Sequence, residues 1–439
     1  MRAANPLLVL ALLALGSCGA GAPAPPAHRP DVILVSIDTL RADHVGAYGY
    51  GRDTTPFLDR FAREEGILFE RAFTSCPWTL VAHMTMLTGL FPAQHGVVNA
   101  DLALSEDIPM LAERLKAAGY QTVALFQPSW LHERFGFARG FDVFRSHGSA
   151  EEAGEHLREE LAKLDPARPT FLFYHLFDVH NGPMASGEHM IYPSPEPFQD
   201  LFLPGAADKL PKVAPDVLWD SENLLDPEQV EALVALYDGG IRHVDTRLEE
   251  AFGQLRERGK LEDALVIVTA DHGEALAQRG RLVGHGELAQ EGLHVPLIVR
   301  RPDRAGAGTR VKELAHLGDI VPTVLEAAGL RPDAHLPGRS LLEPLPRERP
   351  ATGFYLENEF VVEWPRKLIH NDQLGTVAFD LEQDPGELHP KRAKDPLFTE
   401  LRAKALPGGS FPAPHPLEAM PAEERQRLQD LGYGGGDDE

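Results

Sequence analysis

Two apolar runs, each closed by an aspartate, restrict the fold of this chain more than any other feature. Asp31 to Asp38 reads Asp-Val-Ile-Leu-Val-Ser-Ile-Asp, and Ala264 to Asp271 reads Ala-Leu-Val-Ile-Val-Thr-Ala-Asp. Short continuous runs of this kind suit strands buried on both faces of a parallel sheet. A third run, Pro169 to Asp178, is as apolar and delivers Asp178 and His180. Helical stretches alternate with these strands, which implies an α/β fold built on a doubly wound, mainly parallel sheet flanked by helices. Ligands of such sheets bind beyond the carboxyl ends of the strands. Asp38, Asp178 with His180, and Asp271 with His272 all fall at such ends, so a single site is expected there.

The segment Trp78 to Gly89 reads as a loop entering a short helix. Thr79 is expected at its N-cap, with His83 four residues on, so hydroxyl and imidazole share one helix face. The free N–H groups and partial positive charge of a helix N-terminus favour an anion there. Thr55 to Glu65 has helical spacing with Pro56 at N1, and Ile67 to Ala72 and Gln121 to Phe126 read as strands, the latter after a helix over Ile108 to Ala118. Asn181 to Leu225 is rich in Pro, Gly and acidic residues and reads as a surface insertion suited to substrate selection. A long amphipathic helix is expected from Glu228 to Arg256, with a break near Gly239-Gly240. Pro296 to Arg300 reads as a strand, and Leu317 to Ala328 as a helix closed by Gly329. Beyond about Arg331 come strand signals such as Gly353 to Glu357 and a charged helix near Ala422 to Leu431, hence a smaller C-terminal α+β subdomain. The expected division is 1–17, 18–30, 31–330 and 331–439.

The chain has 439 residues and a formal charge of −24, from 42 Lys and Arg against 66 Asp and Glu. Nucleic-acid binding, which needs a basic face, is excluded as a function class. At the N-terminus, Met1-Arg2 precedes an apolar run from Leu7 to Leu15, too short to span a bilayer as a helix. Leu15-Gly16-Ser17-Cys18 resembles the bacterial lipobox, which implies removal of 1–17 and lipidation of Cys18. Gly19 to Pro26 then forms a flexible tether. The expected location is the periplasmic or cell-surface side of a membrane, reached through lipidated Cys18. Of the 2 cysteines only Cys76 remains in the folded part, so no intramolecular disulfide can form.

Ordered motifs carry a resemblance to the sulfatase family within the alkaline-phosphatase-like superfamily. They are Val35-Ser-Ile-Asp-Thr-Leu-Arg-Ala-Asp43, Gly46-Ala-Tyr-Gly49, Thr55-Pro56, Leu87-Thr88-Gly89, Gln94-His95-Gly96, Asp178-Val-His180 and Asp245-Thr246. Thr269-Ala-Asp-His-Gly-Glu274, His285-Gly286, Val295-Pro-Leu-Ile298, Asp319-Ile-Val-Pro-Thr323, Gly338-Arg-Ser-Leu341 and Phe379-Asp-Leu-Glu-Gln-Asp-Pro-Gly386 follow. The likeness spans Asp31 to about Pro390. It implies that Asp38, Asp271 and His272 bind a divalent cation, with the Thr79 oxygen completing the set. Two carboxylates and an imidazole suit Ca²⁺, Mn²⁺, Mg²⁺ or Zn²⁺. It also implies that His180 and His285 surround the anion and the leaving group, either serving as general acid. One cation is expected in preference to two, and a second would draw on Asp178, His180, His285 and His294.

The departures from the family pattern bear on chemistry. Sulfatases carry Cys-x-Pro-x-Arg, whose Cys or Ser becomes formylglycine. Here the register places Thr79 at that Cys, Val81 at the Pro and His83 at the Arg, while Cys76 fits neither register nor motif. Thr39 stands where many sulfatases have a second metal-binding Asp. A Thr nucleophile resembles the phosphoryl-transfer branches: its ester lacks the second hydroxyl with which a formylglycine hydrate expels sulfate. The expectation is a metal-dependent hydrolase of sulfate, phosphate or phosphonate esters, with Thr79, His83, His180 and His285 catalytic. Its substrate would be a small anionic ester or an envelope glycan or lipid. The alternatives are an envelope phosphoryl-head-group transferase and a catalytically inactive sulfatase-like binding protein.

Overall fold

A computed structural model of the chain describes residues 29–183, 189–190, 192, 194–210, 225–279, 283–406 and 408–421. Cys18 with its tether, the helix expected near 422–431 and part of the 181–225 insertion lie outside the described residues. The centre is a sheet of 8 strands. In chain order these are β1 (Val32–Ile37), β2 (Ile67–Phe69), β3 (Gln121–Phe126), β4 (Val143–Ser146), β5 (Thr170–Leu176), β6 (Leu265–Ala270), β7 (Leu297–Arg300) and β8 (Arg310–Val311). They lie in the order β8-β2-β7-β6-β1-β5-β3-β4. β1 pairs in parallel with both β6 and β5, and only β7 runs against the rest. Every residue of β1, β5 and β6 is buried, as continuous apolar runs require of interior strands.

Two groups of helices flank the sheet. In one, the 31-residue helix α5 (Pro227–Glu257) packs on α1 (Pro56–Glu64) and α4 (Ala150–Lys163). In the other, α2 (Thr79–Thr88) packs on α3 (Leu111–Ala117) and α6 (Ile320–Ala327). α5 is unbroken, contrary to the expectation from Gly239-Gly240. A Cβ on Gly239 would lie 2.5 Å from the Phe198 carbonyl oxygen, and one on Gly240 would lie 3.1 Å from that of Asp178. The glycines therefore let two backbone segments approach the helix without interrupting its hydrogen bonds. Ala351–Tyr355, Asn358–Glu363, Arg366–Asn371, Gly375–Asp380 and Lys391–Arg392 form a separate antiparallel sheet of 5 strands, packed against the helix Asp395–Ala405. No helix among the described residues is long and apolar enough to cross a membrane.

The core buries histidines in neutral form. Burial pushes the rings of His95, His147 and His316 down to about 3. At His95 the Val97 N–H donates to Nδ1, which keeps that nitrogen unprotonated. These folded values lie below the unfolded value of about 6.5. Their stabilising contribution is therefore complete above about pH 6.5 and is lost as pH falls toward the folded values, at up to ~1.4 kcal/mol per pH unit for each ring. Denaturant midpoints should fall steeply between about pH 6.5 and pH 5. His95→Gln, read in the same titration, should reduce that slope.

Candidate active site

The register of the sheet builds the site. Ile37 lies opposite Ala270 on one side and Leu176 on the other, so Asp38 and Asp271 leave adjacent strands at the same level. Ser36, His175 and Thr269 share the row two residues before them. Side chains alternate along a strand, so Ser36 and Asp38 face the same way, toward α2. Ser36 Oγ accordingly lies 2.9 Å from His83 Nε2 on that helix.

α2 aims its N-terminus at the strand ends. Trp78 is the N-cap and Thr79 the first helical residue, so the helix begins one residue earlier than the sequence implied. The Thr79 hydroxyl donates to Asp38 Oδ2 at 3.4 Å and lies 3.3 Å from His272 Nε2. Asp38, Asp271 and His272 each present a ligand atom within 4.8 Å of the others, and all are fully buried. Among the described residues, Asp38 Oδ1 and Asp271 Oδ2 have no hydrogen-bond partner. Burial first, and then the neighbouring Asp271 carboxylate, raise the Asp38 carboxyl well above the usual range. Two buried carboxylates with unpartnered oxygens, an imidazole and a hydroxyl fit a divalent cation on chemical grounds. Thr39 adds a mark of strain: a β-branched residue at φ 54°, with its N–H on Asp271 Oδ1 at 3.3 Å. The Tyr237 hydroxyl from α5 holds its carbonyl at 2.7 Å.

The remaining histidines divide by position. His83 is fully buried, its Nδ1 2.9 Å from the Thr79 carbonyl oxygen and 3.5 Å from Asp271 Oδ2. Burial pushes its ring down to about 3, so it is neutral where the family motif has a guanidinium. His180 reaches the site, stacked on Phe177 at 4.2 Å, with Nδ1 on the Asn181 carbonyl. His285 lies between His272 and His180, at ring-centroid distances of 4.6 Å and 5.6 Å. Asp178 and His294 do not join them. Asp178 Oδ1 accepts from the Ala150 N–H at 3.1 Å, and His294 Nε2 lies 2.9 Å from the Glu70 carbonyl oxygen. The set Asp178, His180, His285 and His294 is thus not brought together.

Two residues escaped the sequence reading. His175 lies inside β5, with Nε2 3.3 Å from Asp38 Oδ2, and burial pushes its ring down to about 4. Its signal was a polar residue within an otherwise apolar buried strand. Glu274, named only as part of a motif, is fully buried and accepts from Asn181 Nδ2 at 2.5 Å. Burial pushes its carboxyl up to about 8.

Together the sheet and this pocket define the alkaline-phosphatase-like class of ester hydrolases. Comparison with known proteins narrows the assignment. The Sulfatase family model matches residues 30–330. The chain is 24% identical over 445 residues to a "Delta 4,5-hexuronate-2-O-sulfatase" of Bacteroides thetaiotaomicron, covering 89% of this chain and 90% of that protein. It is 23% identical over 436 residues to an arylsulfatase of Clostridium perfringens, covering 82% and 89%. The solved phosphonate monoester hydrolase of Agrobacterium radiobacter superposes with a TM-score of 0.69 at 22% identity, over 86% of this chain and 96% of that one. This chain belongs to the sulfatase family, and it is a hydrolase acting on sulfuric or phosphoric ester bonds.

The turn after His272 depends on a missing side chain. A Cβ on Gly273 would meet the Glu291 carbonyl oxygen at 1.9 Å and Arg41 Cγ at 3.1 Å. Gly273→Ala must push this turn away from the Glu291 backbone. It should destabilise the fold by about 1–3 kcal/mol and weaken metal binding, read by thermal melting and by titration of the chelator-stripped protein.

Proposed function

We propose that this chain hydrolyses a sulfate, phosphate or phosphonate ester with Thr79 as nucleophile and a divalent cation at Asp38, Asp271 and His272. The observation that carries the reading is the Thr79 hydroxyl, set at a helix N-terminus and 3.4 Å and 3.3 Å from two of those ligands. A cation bound there would neutralise the ester oxygens and lower the pKa of the Thr79 hydroxyl. Thr79 Oγ attacks sulfur or phosphorus, its proton passes to solvent, and the bond to the alcohol oxygen breaks. The alcohol leaves with a proton that this reading assigns to His285. Water then attacks the same sulfur or phosphorus and frees Thr79. Because a threonyl ester has no second hydroxyl with which to expel the anion, this second step favours phosphorus over sulfur. His83 acts through position: neutral and buried, it ties the first turn of α2 to Ser36 and to the Asp271 strand end. His180, held by Asn181 and Phe177, lines the side of the site nearest His285.

Turnover across chromogenic sulfate, phosphate, phosphodiester and phosphonate esters, each with several divalent metals, tests this reading. Thr79→Ala should lower turnover of the best ester on the order of 10³-fold or more, with metal content and melting temperature close to the parent. Unchanged turnover would refute the nucleophile assignment.

The same proposal includes export and anchoring. The apolar run before Leu15-Gly16-Ser17-Cys18 supports a lipidated Cys18 on the periplasmic or cell-surface side. Cys18→Ala should shift the protein from the membrane pellet to the soluble fraction, and retention in the pellet would remove the anchor from the proposal.

A further inference from the structure

One fully buried carboxylate, Glu274, has no part in the proposed reaction. After it the chain enters a short hairpin in which Ala275 pairs with Gly284 and Leu276 with Val283. That pairing returns Gly284, and His285 after it, to the neighbourhood of Glu274. On the other side is the turn that follows β5. There Asn181 Nδ2 donates to Glu274 Oε1 at 2.5 Å, and the Asn181 carbonyl in turn accepts from His180 Nδ1. The N–H groups of Asn181 and Gly284 and the Tyr192 hydroxyl also face the carboxyl. Glu274, Asn181, Tyr192 and His180 are all buried. A single acceptor thus meets donors from two loops, and in each loop the donor residue is the immediate neighbour of a site histidine.

We infer that Glu274 is a positioning residue, which sets the placement of His180 relative to His285 by holding Asn181 and Gly284 on one carboxyl. The inference rests on the reading that His285 gives its proton to the departing alcohol. The two rings lie 5.6 Å apart, centroid to centroid, yet they come from segments far apart in the sequence. His285 follows a hairpin outside the central sheet, and His180 lies beyond the end of β5. The strand register that fixes Asp38 and Asp271 therefore does not fix these rings. Buried polar groups keep their hydrogen-bond partners, so moving either loop would strip a donor from a fully buried carboxylate. Placement matters because an error of about 1 Å at a reacting group can lower a rate on the order of 10²-fold. The acceptor atom carries this role. Among the described residues, Glu274 Oε2 has no hydrogen bond and neither has the Tyr192 hydroxyl. A glutamine there can keep the Asn181 bond through its amide oxygen and set its nitrogen beside Tyr192.

Two variants separate the acceptor from the charge: Glu274→Gln and Glu274→Leu both remove the charge, and only the second removes the acceptor. The full chain, with the divalent metal that gives the highest turnover, is assayed on an alkyl ester and on the para-nitrophenyl ester of the same acid. Glu274→Leu should lower turnover of the alkyl ester about 10²-fold. The nitrophenyl ester should change much less, because that alcohol leaves without a proton. Glu274→Gln should recover most of the loss. A merely structural role would lower both esters together. A second readout needs no substrate: the ring signals of ¹³C-labelled histidine, assigned by their loss in His180→Gln and His285→Gln. Both signals should move in Glu274→Leu, and an unchanged His95 signal shows that the core is kept. If it is not kept, Asn181→Leu is read in the same way. An equal loss on the two esters, or unmoved His180 and His285 signals in a folded variant, would overturn the positioning role. Should Thr79→Ala leave turnover unchanged, the nucleophile assignment falls, and the histidine signals still decide the role of Glu274.

Discussion

The repulsion between Asp38 and Asp271 is the constraint around which the rest of this structure is arranged. Parallel pairing of β1 with β6, in the register Ile37 opposite Ala270, fixes the two fully buried carboxylates side by side. At a short separation in a protein interior such repulsion amounts to several kcal/mol. Three imidazoles among its neighbours reduce it, while the Glu274 carboxyl adds to it. His175 sits on Asp38, while His83 and His272 flank Asp271. His83 and His175, pushed toward neutrality by burial, cannot cancel two charges, and a cation can. The sheet holds the pair in place because β1, β5 and β6 are buried along their whole length, which resists the separation that would relieve the repulsion.

Each layer then contributes one component to that pair. α2 brings the Thr79 hydroxyl and the N–H groups of its first turn. α5 brings Tyr237, whose hydroxyl holds the strained Thr39 peptide by accepting from the Arg41 N–H and donating to the Thr39 carbonyl. Strain of this kind persists only where the surroundings over-determine it, and here both neighbours of Leu40 are tied to one side chain. The two glycines of α5 serve the same end. They admit the Asp178 carbonyl close to the helix, and that turn leads directly to His180.

Much of this was legible in the sequence because it depends on local pattern. Apolar runs ending in Asp gave the strand ends, and Thr79 was placed within one residue of its position in α2. What remained hidden depends on tertiary pairing. Nothing local shows that Asp178 turns toward the N-terminus of α4 while His180, two residues later, enters the site. His175 was hidden for the opposite reason: inside an apolar strand a histidine reads as core, and only the register with Ser36 reveals which face it occupies. The continuity of α5 was missed because glycine lowers helix propensity, a local cost that close backbone packing overrides.

The C-terminal sheet takes part in the site through the loop that carries His285. Gly286, at φ 108°, lies against the Tyr355 ring, so close that a Cβ there would fall 2.7 Å from the ring edge. A few residues on, the Gln290 N–H donates to Glu387 Oε2 at 2.8 Å, and Glu387 forms a fully buried ion pair with Lys367 at 2.5 Å. Arg279 links the same loop to the Gly386 carbonyl and to Glu291. Removing one partner from such a buried pair leaves an uncompensated charge, so these residues define a single geometry between the two sheets. Asp38, Asp271 and His272 thus sit at rigid strand ends, whereas His285 sits on a loop whose position the second sheet sets. Changes at Tyr355 or in the neighbouring hairpin can therefore shift His285 without disturbing Asp38, Asp271 and His272.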